Sequence, residues 1–338
     1  MKTITIQTPA HSSRILIGER LEALHKYLPG KIIIITDDKL NKLYGQQFPK
    51  APVIVMGQGE KNKTMATLDM IFEKLVEYEA DRSTFIVAIG GGIVCDVAGF
   101  AASIYMRGLR YGFVSTTLLA QVDASVGGKN GVNFKGYKNM VGVFNQPEFV
   151  ICDTAMLHTM DEHEYRSGFA EIIKAAAIKS ESLFSYLENN YVAALNKDQE
   201  VLEKIIYDSV KIKADIVEQD EKEKGERKKL NFGHTFAHSI EHNTGILHGE
   251  AVSLGMVLAA DLSEELGLLQ HDQHVRLVNL IRNMELPVVQ NIDYLSLFDA
   301  MKKDKKRKGD HIDMVFIDRI GNSVIKPISI KQLEEKYL

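Results

Sequence analysis

The chain has 338 residues, 45% of them hydrophobic and 25% charged, with a formal net charge of −4. That length points to two domains and the composition to a soluble globular protein, while the slight acidity argues against a general nucleic-acid binder. No stretch reaches the roughly 18 apolar residues of a membrane span and no basic-flanked apolar leader is present, so a cytoplasmic chain beginning at Met1 is expected.

Residues 2–17 read as a hairpin or an edge strand pair. Runs at 31–37, 52–56, 85–89, 111–115 and 149–152 are short, apolar and β-branched, which suits parallel strands covered on both faces. Helical spacing at 64–79 and 93–106 alternates with them, so the first part is predicted as a doubly wound α/β domain. Prolines then vanish between 147 and 287, and helical periodicity takes over at 161–180, 182–190, 198–219, 230–243, 249–267 and 271–285. Asp161 and Ser182 are the expected N-caps. A strand-like piece at 312–317 follows a basic loop at 302–308, which is read as solvated or as a phosphate contact. The boundary is placed near 153–159, giving an α/β domain over 1–155 and an all-α domain over 156–338.

Several segments carry chemistry. Asp37 ends a strand, where an acid suits ribose hydroxyls or merely forms a turn. Gly57 to Thr64 follows the next strand but fails the P-loop spacing; Glu60 and Lys63 are either ribose and phosphate contacts or solvated charges at a helix start. Gly90-Gly91-Gly92 opens a helix after a strand, where bare backbone and a helix N-terminus can receive a pyrophosphate. Asp96 is expected in that helix's first turn. Cys95 stands at the third glycine position of the usual dinucleotide fingerprint; like Cys152 it belongs to no CxxC pair, and both are expected as buried thiols. Arg107 and Arg227 are anion-binding candidates. Thr116, Thr117 and Asp123 lead into a long glycine- and lysine-rich connection holding Lys129, Lys138 and Asn139, a length that favours function over a bare loop.

Glu171 and Lys174 sit one helical turn apart, as an ion pair or as a metal ligand and its neighbour. If 230–243 is one helix, Asn231, His234, His238 and Glu241 or His242 share a face. One carboxylate and two histidines suffice for an open catalytic zinc site, and His234, His238 and His248 are the candidates; the residues alone do not choose between them. HExxH is absent, which disfavours a zincin protease.

Taken in order, Gly-Glu60-x-x-Lys63, Gly-Gly-Gly92-x-x-x-Asp96, Tyr-x-Arg107-Gly, Ser-Thr-Thr117, Gln-Val-Asp123-Ala-Ser-Val-Gly-Gly-Lys129, Lys138-Asn139, Gly168-x-x-Glu171-x-x-Lys174, Leu-Asn231-Phe-Gly-His234-Thr-x3-His238, His248-Gly-Glu and Asp304-Lys-Lys resemble the 3-dehydroquinate synthase family of sugar-phosphate cyclases. Cys95 departs from that pattern, where the family has glycine. The resemblance implies a Rossmann-like NAD domain, contacted through Asp37, Glu60, Lys63, Gly91, Gly92, Asp96, Thr116, Thr117, Asp123, Lys129, Lys138 and Thr159. It implies a helical domain holding Zn2+ or Co2+ on Glu171, His234 and His248, with His238 on the substrate side. The implied substrate is the seven-carbon phosphorylated keto acid DAHP, whose two anionic groups would meet Lys129, Lys174, Lys213, Arg227 and Lys305 or Lys306, with Asn231, Asp123 and Asn139 nearby. Arg107 would enter a neighbouring subunit's site, which implies a homodimer. The rival readings are a polyol dehydrogenase of the glycerol dehydrogenase type, which does not need the lysine-rich loop, a sister cyclase, and a non-enzymatic binding protein.

Overall fold

An apolar run without polar alternation, such as 31–37, can be a strand only if both its faces are covered. In the computed structural model, which describes residues 1–9, 11–289, 293–302, 307–308 and 311–337, that is how it is used. Ile33, Ile34 and Ile35 are wholly buried in β3 (Ile32–Asp37), each side chain contributing about 1.5–3 kcal/mol by leaving water. The chain divides into two compact units, Met1–Met160 with Lys213–Lys222, and Asp161–Ile212 with Glu223–Leu338. Where the sequence marks one cut at 155, the first unit thus continues to Met160 and takes back the end of a later helix and the turn after it, Lys213–Lys222.

The first unit is built on β1 (Lys2–Gln7), β2 (Ser12–Ile17), β3, β4 (Val53–Met56), β5 (Phe85–Gly90), β6 (Arg110–Ser115) and β9 (Phe149–Cys152). They lie in the order β1-β2-β9-β6-β5-β3-β4, all parallel except the β1–β2 hairpin. From β3 the chain passes through α1 (Asp38–Tyr44) outward to β4; from β5 it passes through α3 (Gly92–Ile104) the other way to β6, while α2 (Met65–Glu77) joins β4 to β5. The strand order therefore reverses between β3 and β5, and the crevice beyond their carboxyl ends is where open α/β sheets receive ligands.

The lysine-rich connection is a hairpin, β7 (Lys129–Phe134) and β8 (Tyr137–Phe144). Lys135 and Gly136 both have positive φ, 48° and 83°, the requirement of a two-residue type I′ turn. Gly131 faces Gly142 across the ladder. A Cβ on Gly142 would lie 2.3 Å from the Asn130 carbonyl oxygen, so these glycines serve close strand approach rather than looseness.

The second unit is helical. It contains α4 (Glu162–Lys179), α5 (Glu181–Leu195), the first part of α6 (Gln199–Gln219), α7 (His234–Thr244), α8 (His248–Glu265), α9 (His271–Asn283), α10 (Tyr294–Lys302) and α11 (Ile330–Tyr337). It also carries a three-stranded antiparallel sheet of β10 (Arg307–Lys308), β11 (His311–Arg319) and β12 (Asn322–Ser329), of which the sequence marks only the middle strand. Asp161 caps α4, accepting from the His163 and Glu164 amides. The cap of α5 is Ser180 rather than Ser182: its hydroxyl accepts from the Leu183 amide at 3.2 Å. The segment expected as one helix over 230–243 is broken. A short 3-10 turn over Glu226–Asn231 ends, Gly233 takes φ 77°, and α7 starts at His234. A side chain at Gly233 would meet the Met256 amide nitrogen at 2.8 Å, so the break is set by how closely α8 packs there.

Candidate active site

Glu171 and Lys174, both 2% exposed, occupy successive turns of α4 and pair with each other. Two charges in a helix interior each cost several kcal/mol of desolvation unless their remaining valences are met. Here the first residues of two other helices approach the carboxylate. His234 Nε2 lies 3.5 Å and His248 Nε2 3.3 Å from Glu171 Oε1. Glycines permit the approach: a Cβ at Gly249 would stand 1.8 Å from the Ser167 carbonyl oxygen, and the Gly249 amide donates to the Ser167 hydroxyl at 3.0 Å. His248 is thereby held over α4.

One donor atom each from Glu171, His234 and His248 falls within 4.8 Å of the others. A carboxylate and two imidazoles, one face left open, is the donor set of a catalytic rather than a structural zinc site. Their protonation suits ligation in two cases of three. Burial resists ionisation of Glu171, but Lys174 and the two imidazoles hold its carboxyl well below the usual range. Burial and the Lys174 ammonium hold His234 well below its ordinary value, so its ring is neutral. His248 is raised to about 9: burial opposes its charge, but hydrogen bonds to Glu171 and Glu241 prevail. A metal bound there would take the place of a proton. Glu241 Oε2 lies 3.5 Å from His248 Nδ1, the position of an outer carboxylate that orients a ligating ring.

His238 is exposed, its ring 5.6 Å from that of His234 and nearly perpendicular to it, and it is outside the ligand cluster. Asn231 is not on the histidine helix: it ends the preceding turn, and its amide donates to Glu223 at 2.6 Å. The shared face of Asn231 and His234 is therefore not formed. Arg227 is buried at 1% exposure. Lys305, Lys306 and the His242 side chain lie outside the described residues.

In the first unit the candidates gather after the carboxyl ends of the strands. Asp37 ends β3 and caps α1, its Oδ1 accepting from the Leu40 amide at 2.9 Å. Gly91 caps α3; a Cβ on it would lie 3.0 Å from Thr117 Cγ2, and one on Gly92 2.9 Å from Ala124 Cβ. The Thr117 hydroxyl accepts from the Ala120 amide at 3.2 Å, and the buried Thr116 donates its amide to Gly90. Asp96 lies in the second turn of α3, not the first. Its carboxylate and the Asn139 side-chain oxygen each accept from the Lys63 ammonium at 2.5 Å. Burial lifts the Asp96 carboxyl above its usual value against the pull of Lys63.

Lys63, expected as a phosphate contact or a solvated charge, is 5% exposed and joins three chain segments. Asn133, which no sequence signal marks, extends the link: its side chain donates to Glu60 at 2.7 Å and accepts from the Asn139 amide at 2.9 Å. Lys213, on the part of α6 within this unit, donates to the Asp123 carboxylate at 2.6 Å and to its carbonyl at 2.7 Å. Thr159 shares a hydroxyl hydrogen bond of 2.7 Å with Tyr44. Lys129 and Lys138 are exposed on the hairpin. Arg107 is exposed with φ 69° beside Met106 at φ 48°, a strained pair preceding Gly108. Cys95 and Cys152 are fully buried, and burial pushes both thiols up, away from reactivity.

An open, mostly parallel sheet with a glycine-opened helix, and a helical unit bearing a Glu-His-His cluster around a buried glutamate, are shared by several NAD-dependent enzymes, and likeness in sequence as well as fold to solved structures places the chain in the class of sugar-phosphate cyclases. Two solved structures of that class match the whole chain. One is a 2-deoxy-scyllo-inosose synthase complexed with carbaglucose-6-phosphate, NAD+ and Co2+ (28% identical, covering 99% of this chain and 98% of that one, TM-score 0.89). The other is the 2-epi-5-epi-valiolone synthase of Streptomyces hygroscopicus with NAD+ and Zn2+ bound (26% identical, 99% and 96%, TM-score 0.88). Within the class the sequence is more specific. Family profiles described as 3-dehydroquinate synthase N-terminal and C-terminal match residues 53–167 and 168–307. The 3-dehydroquinate synthase of Campylobacter concisus is 42% identical over 333 residues, 96% of this chain and 94% of that protein. The chain belongs to the 3-dehydroquinate synthase family.

Proposed function

We propose that the protein converts DAHP to 3-dehydroquinate and phosphate, in the shikimate route to aromatic amino acids, by transient oxidation, phosphate elimination, re-reduction, ring opening and intramolecular aldol closure. The observation that carries this reading is the 42% identity to a curated 3-dehydroquinate synthase over nearly the whole chain, against 26–28% for the sister cyclases.

Glu171, His234 and His248 hold a divalent ion, Zn2+ or Co2+, and the carboxyl ends of β3 and β5 hold NAD+. When bound, the nucleotide supplies reversible hydride transfer and the ion supplies Lewis acidity toward a substrate oxygen. The residues of the chain do the rest. Lys174 keeps Glu171 ionised and in place. Asp37 meets ribose, while Gly91 and Gly92 present bare backbone to the pyrophosphate. Lys63 and Asn139 fix Asp96, with Glu60 tied to them through Asn133. Thr116, Thr117, Lys129, Lys138 and Thr159 complete the nucleotide side. Arg227, Asn231, His238, Lys213 and Lys305 or Lys306 serve the substrate's carboxylate and phosphate, Asp123 keeping Lys213 extended. The departing phosphate takes the proton whose loss drives its own elimination, so no single side chain is required as general base.

A homodimer accompanies this reading, since the strained, exposed Arg107 turn is suited to reach a second copy's site. No described helix is long and apolar enough to cross a membrane, and the proposed workplace is the cytoplasm.

With NAD+, Zn2+ and DAHP, the purified protein is expected to release one phosphate per substrate without accumulating NADH. Steady NADH formation from a polyol, with no phosphate from DAHP, would replace this reading by a dehydrogenase.

A further inference from the structure

The corner joining α8 to α9 gathers a second set of metal-ligating side chains. Glu264 sits in the last turn of α8, with Oε1 2.9 Å from His271 Nδ1 and Oε2 against His274 Nδ1. His271 and His274 open α9 at i, i+3 and so share a face, their rings perpendicular with centroids 6.4 Å apart. One donor atom from each of the three residues lies within 4.8 Å of the others. The other nitrogen of the His274 ring, Nε2, is 3.0 Å from Asp261 Oδ1, one turn earlier on α8. An outer carboxylate placed there orients the ring, as it does for ligating imidazoles, and leaves Nδ1 directed at Glu264, where an ion would displace the proton between them.

We propose that Glu264, His271 and His274 form a second, peripheral site for a borderline divalent ion such as Zn2+, with Asp261 orienting His274. Two imidazoles and one carboxylate are donors such an ion accepts at about 2.0–2.2 Å, with water completing the coordination. The His271 side chain is 75% exposed, so the site opens to solvent and exchanges more readily than the buried centre. The ion ties the end of α8 to the start of α9 across Leu266–Gln270. Its role is to hold the corner rather than to touch substrate, and the proposal is independent of the catalytic reading.

Tag-free full-length protein, stripped by chelator and titrated with Zn2+ under equilibrium dialysis, tests it. Wild type is expected to take up two ions per chain and the His271→Ala/His274→Ala variant one, with phosphate release from DAHP unchanged in the variant at one equivalent. The second equivalent raises the thermal midpoint of wild type but not of the variant. Glu171→Gln, which removes a ligand of the buried centre, is expected to keep the second site and its rise in midpoint. A double variant that binds as many ions as wild type, or a Glu171→Gln chain that binds none, overturns the proposal.

Discussion

The two functional clusters are built in opposite ways. Around Glu171, charged groups are taken out of water and three helices are pressed together until their backbones nearly touch at Gly249 and Gly233. Around Asp96, in the second turn of α3, the charges sit beyond the carboxyl ends of the strands, and a hairpin reaches in through Asn139 and Asn133 to tie them. The first arrangement has little slack, because a buried charge without its partner costs more than the pair contributes. The second also buries an ion pair, Lys63 with Asp96, but shares it with Asn139, Asn133 and Glu60 through separate hydrogen bonds, each worth about 1.5–3 kcal/mol where an ion is involved. Single changes should therefore act nearly all-or-none in the first cluster and by degrees in the second.

The largest effect is expected from Glu171→Gln. It removes the proposed anionic ligand and the carboxylate that pairs with the buried Lys174 ammonium. Losing several kcal/mol of Lewis-acid stabilisation should lower turnover about 10³-fold or more, and breaking the buried pair should destabilise the helical unit by roughly 3–5 kcal/mol. NAD+ binding should persist. Metal analysis, phosphate release and NAD+ titration on one preparation check this, and turnover near wild type would remove Glu171 from the site. Chelation of wild type should also abolish turnover. The stripped protein should be destabilised less than the variant, because Glu171, Lys174 and His248 balance one another without the ion.

Gly249→Ala comes next and touches no ligand. Its Cβ would overlap the Ser167 carbonyl, so α8 must shift and carry His248 with it. Metal affinity should fall about 10–100-fold, the range seen when ligand support is disturbed, at about 1–3 kcal/mol in stability. Equal metal affinity in the variant and wild type would show that His248 does not depend on this approach.

Asp96→Asn probes the looser cluster. Lys63 keeps Asn139 as an acceptor but loses the carboxylate, so the NAD+ dissociation constant should rise by roughly tenfold, as expected from one charge-assisted hydrogen bond. Metal affinity should not change. A thousandfold loss of NAD+ binding would mean that this network is as brittle as the metal cluster and that the contrast between them is false.

The same contrast explains what the sequence could reveal. The strands of the open sheet were legible because runs such as 32–35 and 85–89 are apolar without a break and rich in β-branched residues. His234, His238 and His248 were legible as candidates, but spacing could not choose among them. The choice of His234 and His248 beside Glu171 comes from close packing of α8 against α4 and of Gly233 against Met256, and distant contacts of that kind leave no local pattern. Periodicity also ran straight through Gly233, which hid the break that removes Asn231 from the histidine face. The cofactor side was obscured for another reason. Glycines 131 and 142 interrupt the alternation that would have announced a hairpin, and Asn133 carries no motif of its own.

That hairpin offers the finest test. Lys135 holds φ 48° at the first corner of a type I′ turn, a conformation that asparagine tolerates better than lysine. Lys135→Asn should stabilise the first unit by about 0.5–1 kcal/mol, a rise of a degree or two in thermal midpoint for a chain of this size. If the hairpin supports the nucleotide side by holding Asn139 and Asn133 in register, the stiffer turn should leave NAD+ affinity equal to or slightly above wild type. Metal affinity, governed by helices of the other unit, should be untouched. A drop in NAD+ affinity together with the gain in stability would show that the hairpin must yield for the nucleotide to enter, making it a moving part of the cofactor site rather than its scaffold.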